Sequence, residues 1–148
     1  MSTYTQILYQ IIFSTKNREK TLLESERSQL FAYIWGVLKK KKCHLYRIGG
    51  VEDHLHIVTH IHPMIAPSML IKDIKLASSR LIKQENIFPN FNGWQEGYGA
   101  FTYAYSAKDE LIEYVKNQVE HHKTINFKEE YIALLKENGV KFDERYLF

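Results

Sequence analysis

The sequence reads as an α+β domain of the ferredoxin-like type: a βαββαβ antiparallel sheet with helices on one face, followed by C-terminal helices. Three observations predict it. Runs rich in β-branched and aromatic residues occur at 4–13, 45–48, 54–60 and 94–105. Two segments with apolar residues at helical spacing separate the first run from the second and the third from the fourth. Only a short stretch containing Gly49 and Gly50 divides the second run from the third, which favours a hairpin. At 148 residues the chain is expected to form one domain over 1–148, with 124–148 a C-terminal helix and tail.

The first strand, over 4–13, carries Ile7, Leu8, Tyr9, Ile11, Ile12 and Phe13 and ends in a polar, basic turn from Ser14 to Lys20. A helix over 25–41 follows, with Leu30, Ile34, Val37 and Leu38 at helical spacing. Its lysines at 39–42 lie where the helix dipole is negative, an ordinary C-terminal signal. Leu45 to Ile48 is a short strand, and Gly49-Gly50 marks a turn or bulge before the strand at 54–60. Pro67-Ser68 opens a helix over 69–85 whose apolar side holds Leu70, Ile74, Ala77, Leu81 and Ile82. Residues 94–105 read as a strand with a glycine break. Ser106 and Asp109 then cap a helix over 107–122. Asn126 and Glu129 form a capping box for a helix reaching Glu137, Gly139 stops it, and 140–148 is an extended tail.

Composition bounds the function loosely. Apolar content of 45% and charged content of 25% are ordinary for a soluble globular domain. A net charge of +3 permits nucleic-acid binding without demanding it. The lone Cys43 excludes an internal disulfide and a cysteine-based zinc site. The N-terminus lacks a signal-peptide pattern and no apolar run is long enough to span a membrane, so a cytoplasmic protein is expected.

The chemistry is concentrated in Asp53-His54-Leu55-His56. In a strand, residues two apart share a face, so His54 and His56 can offer two imidazoles to one metal ion, with Leu55 and Ile57 turned to the other side. Asp53 could accept a ring N–H and fix its tautomer. His60 and His62 either continue this polar face or sit in the loop before Pro63. A second constellation follows the last strand. Tyr114 and Gln118, four apart, share one helix face. A tyrosine hydroxyl can attack a phosphodiester, and a Gln carbonyl oxygen can ligate a hard divalent ion. Two His and one Gln would leave positions open for phosphate oxygens, which suits Mg²⁺ or Mn²⁺. The same pair is also what packing on an amphipathic helix produces. The remaining histidines, His121 and His122 among them, are expected at the surface.

Together, Glu52-Asp53-His54-Leu55-His56, the Tyr114-x-x-x-Gln118 helix and Trp94-Gln95-Glu96-Gly97-Tyr98 resemble the single-tyrosine HUH transposases, the insertion-sequence-200-like enzymes and their REP-associated relatives. The likeness takes in Tyr9 to Lys16 and Ser78-Ser79-Arg80-Leu81, and runs from Tyr4 to about His122. It implies a single-stranded DNA substrate folded into an imperfect hairpin. It implies attack by Tyr114 to give a 5′-phosphotyrosine link and a free 3′-OH, with resealing by a later 3′-OH. His54, His56 and Gln118 would hold Mg²⁺ or Mn²⁺, with Asp53 behind them. A homodimer with composite sites and a nucleoid-associated location are also implied. With that frame Lys16, Arg18, Lys72, Lys75 and Arg80 become expected phosphate contacts, and Tyr98 or Tyr103 stacking partners. Two alternatives stand beside it. One is a non-catalytic or domesticated nucleic-acid-binding ferredoxin-like domain. The other is an unrelated metal hydrolase, whose turnover would survive Tyr114→Phe.

Overall fold

A computed structural model describes residues 2–147, so Met1 and the final Phe148 of the expected tail lie outside it. Four strands, β1 (Leu8–Ser14), β2 (His44–Gly50), β3 (His54–His60) and β4 (Gly99–Tyr103), form one sheet in the order β2-β3-β1-β4. Every neighbouring pair is antiparallel. Helix α1 (Glu24–Lys40) joins β1 to β2, and α2 (Pro67–Glu85) joins β3 to β4. After β4 come α3 (Lys108–Lys116), the single turn α4 (Gln118–His121) and α5 (Phe127–Glu137). The first six elements are the expected ferredoxin-like unit.

Strand alternation divides the core. Ile11, Phe13, Leu55 and Ile57 face one side and pack with Leu30, Ile34 and Leu38 of α1 and Leu70, Ile71, Ile74 and Ile82 of α2. The opposite side is also covered. Leu8 and Val58 meet Leu111 and Val115 of α3, while Ile12 and Phe101 meet Phe127, Leu134 and Leu135 around α5. The C-terminal helices are therefore a second layer, and they close over the face that carries the histidines.

Several boundaries differ from the sequence reading. The first strand begins at Leu8, and the fourth is confined to Gly99–Tyr103. Trp94 contributes only an isolated bridge to Thr15, and its indole N–H donates to Ser78 Oγ at 3.0 Å, fixing this loop to α2. Gly49 and Gly50 lie inside β2 and are not its turn. A Cβ on Gly49 would stand 2.2 Å from the Val115 carbonyl oxygen, so glycine here admits the backbone of α3. Ser106 does not cap α3: a short 3₁₀ turn precedes the helix, and its N-cap is Ala107. The helix expected over 107–122 breaks at Asn117 (φ −94, ψ 20). The predicted capping box of Asn126 and Glu129 is present at α5. Gly139, at φ +67, ends that helix as expected: its N–H reaches Lys136 O and the Val140 N–H reaches Leu135 O, a Schellman pair. Beyond it the chain turns once more at Glu144–Tyr146, and Phe142 and Leu147 pack back on the α5 cluster.

Candidate active site

His54 and His56 are both fully buried, side by side on β3, with ring centroids 5.1 Å apart. The register places Ser14 opposite His54 and Ile12 opposite His56 on β1. Each ring is held from behind. His54 Nδ1 lies 2.7 Å from Asp53 Oδ1; a carboxylate only accepts, so Nδ1 carries the hydrogen. His56 Nδ1 lies 2.7 Å from Gln10 Oε1. The amide nitrogen of Gln10 donates to Tyr103 Oη, so its oxygen is left to accept from His56. Both histidines therefore point Nε2 inward, and in the neutral rings Nε2 is a lone pair.

Those lone pairs face Glu130, a residue of α5 that is 2% exposed. Its Oε1 is 3.2 Å from His54 Nε2, 3.1 Å from His56 Nε2 and 2.9 Å from His122 Nε2. Its Oε2 accepts from Gln118 Nε2 at 3.0 Å and from the Tyr114 hydroxyl, and lies 3.4 Å from His121 Nε2. Gln118 is buried, and its Oε1 stands 3.2 Å from His54 Nε2. Tyr114 meets His56 edge to face at 5.7 Å. Ligand atoms of His54, His56, His122 and Glu130 all lie within 4.8 Å of one another. This donor set fits a divalent cation: a positive charge among facing lone pairs makes each contact attractive.

Without a cation, protons mediate these contacts. Burial lowers the pKa of His54, but the hydrogen bonds to Asp53 and Glu130 carry it above the ordinary value. His56 is lowered to about 4, chiefly by burial, with Glu130 opposing. Burial would raise Glu130, but hydrogen bonds from His122, His54 and His56 hold it well below the usual carboxylate range. Tyr114 is pushed up, first by burial and then by the negative charge of Glu130.

The structure thus brings Tyr114, His54, His56, Gln118 and Asp53 together. The expected surface position of His122 is overturned: its side chain is 8% exposed, because the break at Asn117 and the turn of α4 swing it under α5. His121 is half-buried beside it. His60 and His62 take backbone N–H bonds, from Ile7 and Met64, and stand outside the cluster.

Sequence reasoning missed Glu130. Its signal was a charged residue in the apolar stripe formed by Phe127, Glu130 and Leu134. Among the expected DNA contacts, Lys16 and Arg18 are exposed in the turn that follows β1, next to the Asp53 corner, whose carbonyl takes the Thr15 N–H. Lys72 and Arg80 are exposed on α2, while Lys75 donates to the carbonyls of Gln95 and Gly97. Tyr98 lines a cleft of about 190 Å³ with Phe127 and Tyr131. Phe127 stacks on His54 at 4.1 Å, so this cleft opens one ring away from the histidines. Tyr103 is half-buried behind Gln10.

The family model described as "Transposase IS200 like" matches residues 3–118. The chain belongs to this transposase family. The match ends at Gln118, so the transposase carries His121, His122 and Glu130 in a segment beyond it. Two solved structures share the fold. A candidate transposase from Deinococcus radiodurans R1 is 20% identical with a TM-score of 0.62, over 80% of this chain and 95% of that one. A REP-associated tyrosine transposase, solved bound to a REP hairpin, is 15% identical with a TM-score of 0.63, over 84% and 76% respectively. No curated protein matches the chain significantly. Among the described residues, no helix is long and apolar enough to cross a membrane.

Proposed function

We propose that this transposase cleaves and rejoins single-stranded DNA through a 5′-phosphotyrosine on Tyr114, with a divalent ion, Mg²⁺ or Mn²⁺, held by His54, His56 and Gln118. The observation that carries the reading is the position of the Tyr114 hydroxyl, bonded to the carboxylate that also touches both histidines. The bound ion would polarise the scissile phosphate and stabilise its developing charge. Tyr114 Oη forms the new bond to phosphorus, and the bond to the 3′-oxygen breaks. The hydroxyl proton is lost to solvent as the bond to phosphorus forms, and the leaving 3′-oxygen takes a proton from water. Reversal by a later 3′-OH reseals the strand without ATP, because the phosphotyrosine conserves the bond energy.

The substrate in this reading is a hairpin with single-stranded flanks at the element ends, which would place the protein with the nucleoid. Lys16 and Arg18 beside Asp53 suit the flanking phosphates, and the Tyr98–Tyr131 cleft suits an unstacked base. Lys72 and Arg80 would extend the basic track along α2. Lys75 contributes by holding the Gln95–Gly97 loop. A homodimer belongs to the same reading, but each chain brings its own Tyr114 to its own His56, so we propose a site complete within one chain.

The test incubates the purified protein with labelled single-stranded DNA carrying the sequences that flank its own gene, plus Mn²⁺ or Mg²⁺. A covalent protein–DNA species on a denaturing gel is expected, lost with Tyr114→Phe, with His56→Ala and with chelator. DNA binding with no adduct on any flank would favour a non-catalytic binding domain. Turnover that survives Tyr114→Phe would favour a metal hydrolase.

A further inference from the structure

We infer that Glu130 and His122 join His54 and His56 as ligands of one divalent ion, forming a three-histidine, one-carboxylate site that takes Mn²⁺ in preference to Mg²⁺. The inference rests on the metal reading above and extends it into the segment beyond the family match.

The argument starts from the two oxygens of Glu130, which have separate surroundings. Oε2 is satisfied by donors, the Tyr114 hydroxyl and the Gln118 amide. Among the described residues, Oε1 meets imidazole Nε2 atoms, those of His54, His56 and His122. Asp53 and Gln10 fix the hydrogens of His54 and His56 on Nδ1. In the neutral rings that a metal requires, their Nε2 lone pairs face the lone pairs of Oε1 at 3.2 and 3.1 Å. Unmediated, that contact is repulsive, and it is buried where water cannot screen it. A cation ligated by all four atoms removes the repulsion. The carbonyl oxygen of Gln118, 3.2 Å from His54 Nε2, is turned toward the same point and is available as a further donor.

Local structure supports the assignment. Burying a glutamate is costly unless its charge is matched. Glu130 lies within the buried, otherwise apolar stripe of α5, and Phe127, one turn earlier, stacks on His54 and fixes the approach of the helix. His122 enters because the chain breaks at Asn117 and turns through α4. The ligand chemistry then sets the preference. Mg²⁺ seeks oxygen ligands and retains water, whereas three imidazoles suit first-row transition ions.

The experiment measures metal binding without DNA or turnover. Chelator-treated protein is dialysed to equilibrium against Mn²⁺ or Mg²⁺ and its metal content determined, with thermal melts confirming that each variant is folded. The intact chain should hold one Mn²⁺ and bind it at least about tenfold more tightly than Mg²⁺. His122→Ala and Glu130→Gln should each weaken Mn²⁺ by about tenfold or more. If both bind Mn²⁺ like the parent while His56→Ala does not, the inference is overturned and the metal reading stands. Tighter binding by Glu130→Gln would also overturn it, making Glu130 an internal competitor for the site. No Mn²⁺ on the intact protein would overturn both.

Discussion

Glu130 converts a pair of strand histidines into a buried polar network, and it does so through one carboxylate. Asp53, His54 and His56 were legible because strand alternation is a local rule: two residues apart means one face. Tyr114 and Gln118 were legible because four residues apart is likewise a local rule, and the break at Asn117 does not separate them. Glu130 was not legible, because a glutamate in an apolar stripe announces a buried charge without naming its partners. The network also predicts how metal-free protein responds to pH. His56 has a lowered pKa, so its contribution is complete above pH 6.5 and is lost as pH falls toward about 4. Glu130, lowered as well, adds a loss of the same sign below its unfolded value near pH 4.5. His54 is raised, so its contribution is complete below pH 6.5 and is lost as pH rises through its folded value. Thermal melts in chelator should therefore show greatest stability near pH 6.5, falling on both sides. His56→Gln should flatten the acid limb between pH 6.5 and 4, and a parent curve that rises steadily toward acid pH would contradict this account.

Elements were legible where their signals are internal and not where a distant segment decides. The capping box and Schellman end of α5 follow from Asn126, Glu129 and Gly139 alone. Gly49-Gly50 looked like a turn because nothing in the local sequence reveals that α3 will press on β2 there. The structure gives that glycine a definite role. Gly49 pairs with His56 across the ladder and lies beneath Val115, the residue after Tyr114. The bare Cα sets how closely α3 approaches the sheet, and hence whether the tyrosine reaches Glu130. Gly49→Ala would put a methyl 2.2 Å from the Val115 carbonyl oxygen and 2.9 Å from Val115 Cγ1, and backbone must move. A loss of about 1–3 kcal/mol is expected, read from the shift in urea midpoint at unchanged slope. Adduct formation should fall by more than this loss of folded protein explains, since the displaced helix carries Tyr114, the proposed nucleophile.

At the scale of the molecule, the sheet is a divider between two kinds of interior. One side, under α1 and α2, is apolar and makes the fold stable; the other, under α3, α4 and α5, is apolar at its margins and polar at its centre. The order of elements made the first layer predictable. It left open whether the tyrosine helix docks on its own sheet or on a partner's, because both arrangements bury the same apolar residues. Here Leu111 and Val115 pack on Leu8 and Val58 of the same chain, and α5 closes over the same histidines. In a reciprocal exchange the partner's Leu111 and Val115 would cover Leu8 and Val58 equally, so packing alone does not choose between the two arrangements. Complementation between two inactive proteins tests this directly. Tyr114→Phe retains the His–Glu cluster but lacks the proposed nucleophile; His56→Ala retains the proposed nucleophile but lacks a proposed ligand. If each chain uses its own tyrosine, co-refolding the two in equal amounts yields no covalent adduct on any flank. A composite site would restore about a quarter of parental adduct, because random pairing makes half of all dimers mixed and each mixed dimer holds one intact site of two. Adduct at that level, dependent on mixing and migrating with the His56→Ala chain, would show that α3 changes partners in the active assembly.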